Sequence, residues 1–242
     1  MKANKMLKKI FLSSAITLIA SASYAQDAHN GHQHGPQPQA GNAVQGLDLS
    51  KVDFVFSEAP DDHVVGGDFA PITIIAYASV TCSHCSNWFT NEWPDVKASL
   101  VETDKIRFVF REFPTAPAAL SLTGFAMANC APKEDFFSVV EYQMENQAEI
   151  IEQTQQGKGQ EVYGKIAKLA GLDTDEKVAA CLTAEREGGH IEVSLDRAAA
   201  AKVQGVPAFY INGDAYKGKQ SAKDFIKLID TMIETGSSTL PK

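Results

Sequence analysis

The chain has 242 residues, 44% of them hydrophobic, 21% charged and 9% aromatic, a composition that excludes a disordered chain, a collagen and a multi-span membrane protein. Lys and Arg number 22 against 30 Asp and Glu, for a net charge of −8. No basic cluster lies in the body of the chain, so nucleic acid is not an expected partner. Four cysteines are too few for a disulfide-stapled miniprotein and point to one or two specific thiol features in a packed domain.

Residues 1–25 read as a secretory signal peptide. Lys2, Lys5, Lys8 and Lys9 form a basic start, an apolar run follows from Ile10 to about Ala20, and Ser23-Tyr24-Ala25 offers small residues for cleavage. The apolar run is shorter than the roughly 20 residues a bilayer span needs. Export places the cysteines in an oxidising compartment, the periplasm. Residues 26–50, rich in Gln, His, Gly and Asn, cannot bury enough surface to offset their ordering entropy and read as a flexible segment. His29, His32 and His34 within it are candidate Cu or Zn ligands, set against a reading as solvated low complexity.

Structured patterning begins near residue 51 and continues to 236, leaving 237–242 as a tail. Val52–Phe56 alternates like a short strand. Ile72–Ala78 is β-branched and nearly continuously apolar, as in a strand buried on both faces. The stretch from Cys82 to about Leu100 reads as a helix kinked at Pro94, and Ile106–Phe110 as the next strand. Strand, helix and strand within about 40 residues make a βαβ unit with parallel strands. Residues 116–203 hold no convincing strand. Apolar residues recur there at helical spacing: Phe137, Val140 and Met144; Val162, Ile166 and Leu169; Val178, Cys181 and Leu182. Asp173 with Glu176 resembles a capping box opening the last of these helices. Strand character returns at Ala208–Ile211, and Asn212-Gly213 predicts a two-residue hairpin turn into Asp214–Lys217. Ser221 can cap a final helix whose buried face carries Phe225, Ile229 and Met232 or Ile233. The paired acids Asp61 and Asp62 read as loop solvation.

Cys82-Ser83-His84-Cys85 sits where a buried strand ends and a helix begins. The first N–H groups of a helix lack intrahelical partners and the macrodipole is positive there. A sulfur at Cys82 would receive those donors, and His84 could add a donor or a charge, so the expectation is a stabilised thiolate and a good leaving group. Cys85, one turn on, would be the buried resolving thiol. A zinc site finds no second Cys/His pair to complete a tetrahedral set, so no metal ligands are assigned here. Haem attachment needs His where Ser86 stands. A purely structural disulfide remains a further reading. Gly205-Val206-Pro207 precedes the strand at 208–211, and a proline just before a central strand suggests a special backbone geometry.

The order of these parts over about residues 50–236 resembles the exported DsbA-like branch of the thioredoxin superfamily. Tyr77–Cys85, Phe108–Pro114 and Gly205–Gly213 carry the resemblance. It implies an α/β thioredoxin fold with a helical domain inserted at about 115–203, and dithiol–disulfide exchange through Cys82 and Cys85, with no cofactor. It also implies a cis Pro207 facing the cysteines and a Val206 backbone that binds extended substrate by strand addition. The implied partners are reduced exported proteins and a DsbB-like membrane quinone reductase that restores the disulfide. In the alphaproteobacterial type, cysteines matching Cys130 and Cys181 form a second, structural disulfide; two buried free thiols are the alternative. Two departures stand out. The dipeptide between the cysteines is Ser83-His84 where Pro-His is common, and Ala76 stands where many relatives carry an acid. An isomerase or reductase is the other reading within the class, and a Cu/Zn-binding thiol protein the reading outside it.

Overall fold

A computed structural model describes residues 54–241; the expected signal peptide and flexible segment at 1–50, Val52 and Asp53 lie outside the described residues. The longest apolar runs form the middle of the sheet. Strand β1 spans His63–Val65, β2 Ile72–Ala78, β3 Ile106–Glu112, β4 Ala208–Ile211 and β5 Asp214–Ala215. They lie in the order β1-β3-β2-β4-β5. Only β2 and β3 run parallel, Ile72 opposite Ile106 through Ala78 opposite Glu112; the other pairs are antiparallel. The parallel pair is the one joined by a helical crossover, as the connection requires.

That crossover is broken where a single kinked helix was expected. Helix α1 spans Ser83–Asn91 and α2 Trp93–Val96, continuing into a π-helical turn at Lys97–Val101. Pro94 lies in the first turn of α2, where its missing N–H costs nothing, and the break falls ahead of it at Glu92. Six helices follow without a strand: α3 Ala118–Asn129, α4 Phe136–Glu145, α5 Gln147–Gln153, α6 Gly159–Leu169, α7 Asp175–Arg186 and α8 His190–Ala200. Phe137, Val140, Met144, Val162, Ile166 and Cys181 are buried as the spacing predicts, whereas Leu169 is exposed at the last position of α6. The cap of α7 is Thr174, whose Oγ1 accepts from Lys177 N; Asp173, one residue early, pairs with the Lys177 ammonium instead.

Asn212 and Gly213 both take positive φ, 47° and 90°, the backbone a two-residue hairpin of this hand demands. Strand β5 is two residues long, shorter than the four expected. Ser221 caps α9, Ala222–Thr235, accepting from Asp224 N, and Gly236 ends it with a left-handed φ of 65°. Phe225, Ile229 and Met232 face the core and Ile233 does not.

Side-chain alternation in the sheet makes two cores. Ile72, Ile74, Ala76, Phe108 and Phe110 pack with α1, α2, the inserted helices and α9, around the rings of Trp88, Phe89 and Trp93. Ile75, Tyr77, Val109 and Tyr210 pack on the other face with Ala198 of α8.

The strand expected at Val52–Phe56 does not form over the described part, Phe54–Phe56. Arg111, fully buried on β3, takes hydrogen bonds to the carbonyls of Phe54, Val55 and Ser57, to Tyr77 Oη and to both carboxylate oxygens of Asp62. A buried guanidinium needs every donor satisfied, so this segment wraps the cation with its carbonyls rather than pairing in a ladder. Asp61 and Asp62 are correspondingly not loop solvation. Asp62 is buried against Arg111, and Arg197 of α8 pairs with both acids.

Candidate active site

Cys82 is the N-cap of α1, with extended backbone (φ −87°, ψ 119°), so its side chain stands at the mouth of the helix. It is half-buried, Cys85 is fully buried, and both are free thiols. The Val206–Pro207 peptide is cis, and the Val206 carbonyl accepts from Cys82 S–H at 3.4 Å. Two sequence segments predicted separately, the cysteine motif and the Val206–Pro207 pair, therefore meet at one sulfur. Ser83 and His84 are exposed, and the hydrogen-bond partner of Cys82 is the Val206 carbonyl rather than either of them.

Cys85 occupies the opposite kind of environment. Burial pushes its thiol far above the ordinary cysteine range, and the neighbouring Cys82 adds to the rise. Backbone N–H groups oppose this, first that of Ser79, which donates to Cys85 Sγ at 3.4 Å. Ser79 Oγ continues into a knot of hydroxyls with Thr81, Thr115 and Ser121 at 2.9–3.2 Å. Beneath the motif, Ala76 is fully buried between Phe110 and Phe209 across the ladder, so the strand presents a methyl group there and no carboxylate.

Residues distant in sequence hold the motif in place. Gln147, buried at the start of α5, donates to the carbonyls of Val80 (2.8 Å) and Cys82 (3.1 Å). Ser86 Oγ donates to Met144 O at 2.6 Å. Both contacts tie the active-site helix to the helical insertion. On the other side, Trp88 Nε1 donates to Gln220 O, Gln220 Nε2 donates to Pro207 O, and Glu92 accepts from Ala222 N. The first turn of α9 is thereby fixed to α1 and to the cis peptide. A cleft of about 430 Å³ opens here, lined by His84, Trp88, Val206, Pro207 and Gln220 among others. Sequence reasoning missed Gln147, Thr115 and Gln220, because nothing local to them signals partners elsewhere in the chain, 13 to 132 residues away.

Cys130 and Cys181 form a disulfide with Cα atoms 5.9 Å apart, linking the end of α3 to α7. It lies within the helical insertion and brings neither sulfur to Cys82.

A thioredoxin family model matches residues 58–231. The chain is 26% identical over 193 residues to a Rickettsia felis protein named as a protein-disulfide oxidoreductase, covering 77% of this chain and 66% of that one. A Rickettsia prowazekii protein of the same designation is 28% identical over 170 residues, with 68% and 58% covered. The chain thus spans less than two thirds of these relatives' lengths. Among solved structures, α-DsbA1 from Wolbachia pipientis superposes with a TM-score of 0.62 at 24% identity, covering 74% of this chain and 94% of that one, a likeness of fold.

Proposed function

This chain belongs to the thioredoxin family, and on that premise we propose that it is a DsbA-type dithiol–disulfide oxidase of exported proteins, working through Cys82 and Cys85. The observation that carries the reading is the asymmetry of the two sulfurs: an accessible Cys82 at a helix N-terminus beside the carbonyl of Val206, which precedes the cis-proline, over a sealed Cys85.

The chemistry runs as two exchanges. A substrate thiolate attacks Cys82 Sγ of the Cys82–Cys85 disulfide; the S–S bond breaks and Cys85 leaves as thiolate, then takes a proton. A second substrate thiolate attacks the substrate sulfur of the mixed disulfide and expels Cys82 as thiolate. The substrate loses two electrons and two protons and the protein gains them. Cys82 leaves at the N-terminus of α1, where the helix dipole is positive. Cys85, held as a neutral thiol by burial, attacks the mixed disulfide slowly, so the intermediate survives until the second substrate thiol arrives. Once Cys82 is in a mixed disulfide it carries no S–H, which frees the Val206 carbonyl to accept a substrate backbone N–H. The cleft beside Pro207 receives the flanking residues.

The signal-like residues 1–25 and the Cys130–Cys181 disulfide support a periplasmic, oxidising setting. In that setting a membrane quinone reductase of DsbB type would return the electrons to the respiratory chain. Equilibration with glutathione tests the direction of transfer. An oxidase lies nearer about −120 mV than about −270 mV, the values of a strong oxidase and of a thioredoxin-type reductase. Oxidation of reduced, unfolded ribonuclease is expected from the wild type and not from Cys82→Ser. A potential at the reductase end, or transfer that survives Cys82→Ser, overturns the reading.

A further inference from the structure

Away from the thiols, three side chains from three distant segments converge. His63 opens β1, Glu112 closes β3 and His190 opens α8. One ligand atom from each lies within 4.8 Å of the other two. Glu112 is 2% exposed, and its Oε1 is the buried side-chain oxygen or nitrogen that has no hydrogen-bond partner among the described residues. A buried carboxylate oxygen without a partner costs on the order of 1–3 kcal/mol or more, so a group that fills this position is expected. His63 Nε2 does not fill it: it stops 3.9 Å away, beyond hydrogen-bond range.

We propose that His63, Glu112 and His190 form a binding site for a divalent transition-metal ion of the zinc class. The spacing is near that of such an ion. Zinc–nitrogen and zinc–oxygen bonds of roughly 2.0–2.2 Å put two ligand atoms about 3.4 Å apart at a tetrahedral angle and at most about 4.2 Å apart. The 3.9 Å pair lies about half an ångström outside the tetrahedral separation, and the widest separation of 4.8 Å must close by about 1.4 Å for all three side chains to reach one ion. Two imidazoles and one carboxylate are a borderline nitrogen–oxygen set that suits zinc rather than calcium or magnesium.

The surroundings supply an oriented outer shell. His63 is stacked face to face on Phe136, centroids 3.5 Å apart, which fixes its ring plane. Its Nε2–H donates to Asn129 Oδ1 at 2.9 Å, and Asn129 Nδ2 in turn donates to Glu185. With the ring N–H moved to Nδ1, Nε2 becomes a ligand and the Asn129 oxygen is free to serve as a fourth. A cavity of about 240 Å³ lined by His63, His190, Asn129, Asp61, Asp62 and Lys133 gives the ion a path in. Lys133 is exposed at this cavity and opposes a cation; Asp61 on the same wall is paired with Arg197. An ion here would pin the sheet to the inserted helical domain through α8.

Zinc binding to the full chain tests this, with the other ligands removed: His29→Ala, His32→Ala and His34→Ala are made together and the Cys82–Cys85 pair is kept oxidised. Equilibrium dialysis against ZnCl2 is expected to give one ion per chain. Co2+ is expected to give the visible absorption of a low-coordinate nitrogen–oxygen site, and zinc to raise the Tm. His190→Ala, at a half-buried helix start, and Glu112→Gln, which keeps the side chain's size, should each weaken zinc at least about tenfold, the scale on which even outer-shell partners of a metal act. Their unfolding curves without metal establish that they are folded. No saturable binding to the oxidised triple variant overturns the site, as does binding that His190→Ala and Glu112→Gln leave unchanged.

Discussion

Sealing Cys85 inside the core while Cys82 remains accessible makes stability depend on pH through one identifiable group. In Cys82→Ser the thiol at 85 is the remaining free cysteine, since Cys130 and Cys181 are bonded to each other. Burial raises the folded-state pKa of Cys85 well above that of a cysteine in the unfolded chain. A group whose pKa is raised by folding contributes its full stability below the unfolded value and loses it as pH climbs towards the folded one, because the unfolded chain gives up a proton that the folded chain keeps. For an unfolded pKa between about 8.5 and 9, at about 1.4 kcal/mol per pH unit, the loss from pH 8 to pH 10 is about 1.4–2 kcal/mol. The control is Cys82→Ser/Cys85→Ala, which lacks the titration and keeps everything else. Urea unfolding of both variants at pH 7, 8, 9 and 10 gives the difference in stability at each pH, and the single variant's advantage should shrink by that amount over the alkaline half of the range. Parallel profiles, with a difference constant to a few tenths of a kcal/mol, would show that Cys85 ionises as easily folded as unfolded. The account of a long-lived mixed disulfide would go with it.

Gln147→Ala strands the buried Val80 carbonyl and removes one of two donors to the Cys82 carbonyl. A loss of about 2–4 kcal/mol in urea unfolding is expected, together with faster alkylation of Cys82 as the motif loosens from the insertion. Replacing both Cys130 and Cys181 by Ala opens a loop with a sequence separation of 51, which on chain entropy costs about 4 kcal/mol, measurable as a lowered urea midpoint with ribonuclease oxidation retained below it. Arg111→Met leaves Asp62 buried with one cationic neighbour fewer and frees three loop carbonyls. Destabilisation of about 3–5 kcal/mol is expected, and limited proteolysis near Phe54–Ser57 should accelerate.

What could be read from the sequence is what short segments decide for themselves. The β-branched run at 72–78, the cysteines one turn apart after it, Asn212-Gly213 and Ser221 each dictate a local backbone, and each lies where it was expected. The errors arose where a distant side chain overrode local preference. The alternation at Val52–Phe56 suits a strand, but an arginine 55 residues later has more donors than Asp62 can satisfy, and the segment turns its carbonyls inward, with Phe54 at a φ of 61°. Asp173 has the right spacing for a cap, but Thr174 caps and Lys177 holds the acid. Gln147, Thr115 and Gln220 act through contacts that no spacing rule encodes, and the convergence of His63, Glu112 and His190 is of the same kind.

Ala76 joins the legible and illegible parts of the site. From the sequence, it marks only the lack of an acid below the motif. In the fold, the polar groups that do approach Cys85 are neutral: the Ser79 amide on the sulfur, with the hydroxyls of Thr81, Thr115 and Ser121 behind it. None of these takes a proton at neutral pH, so no base in this cluster speeds the return attack of Cys85 on a mixed disulfide. A reductase or isomerase needs that attack to escape trapped intermediates, whereas an oxidase delivers its disulfide by outlasting it. The methyl group at position 76 and the sealed thiol above it therefore bear on the lifetime of the mixed disulfide, the step on which the proposed oxidase reading depends.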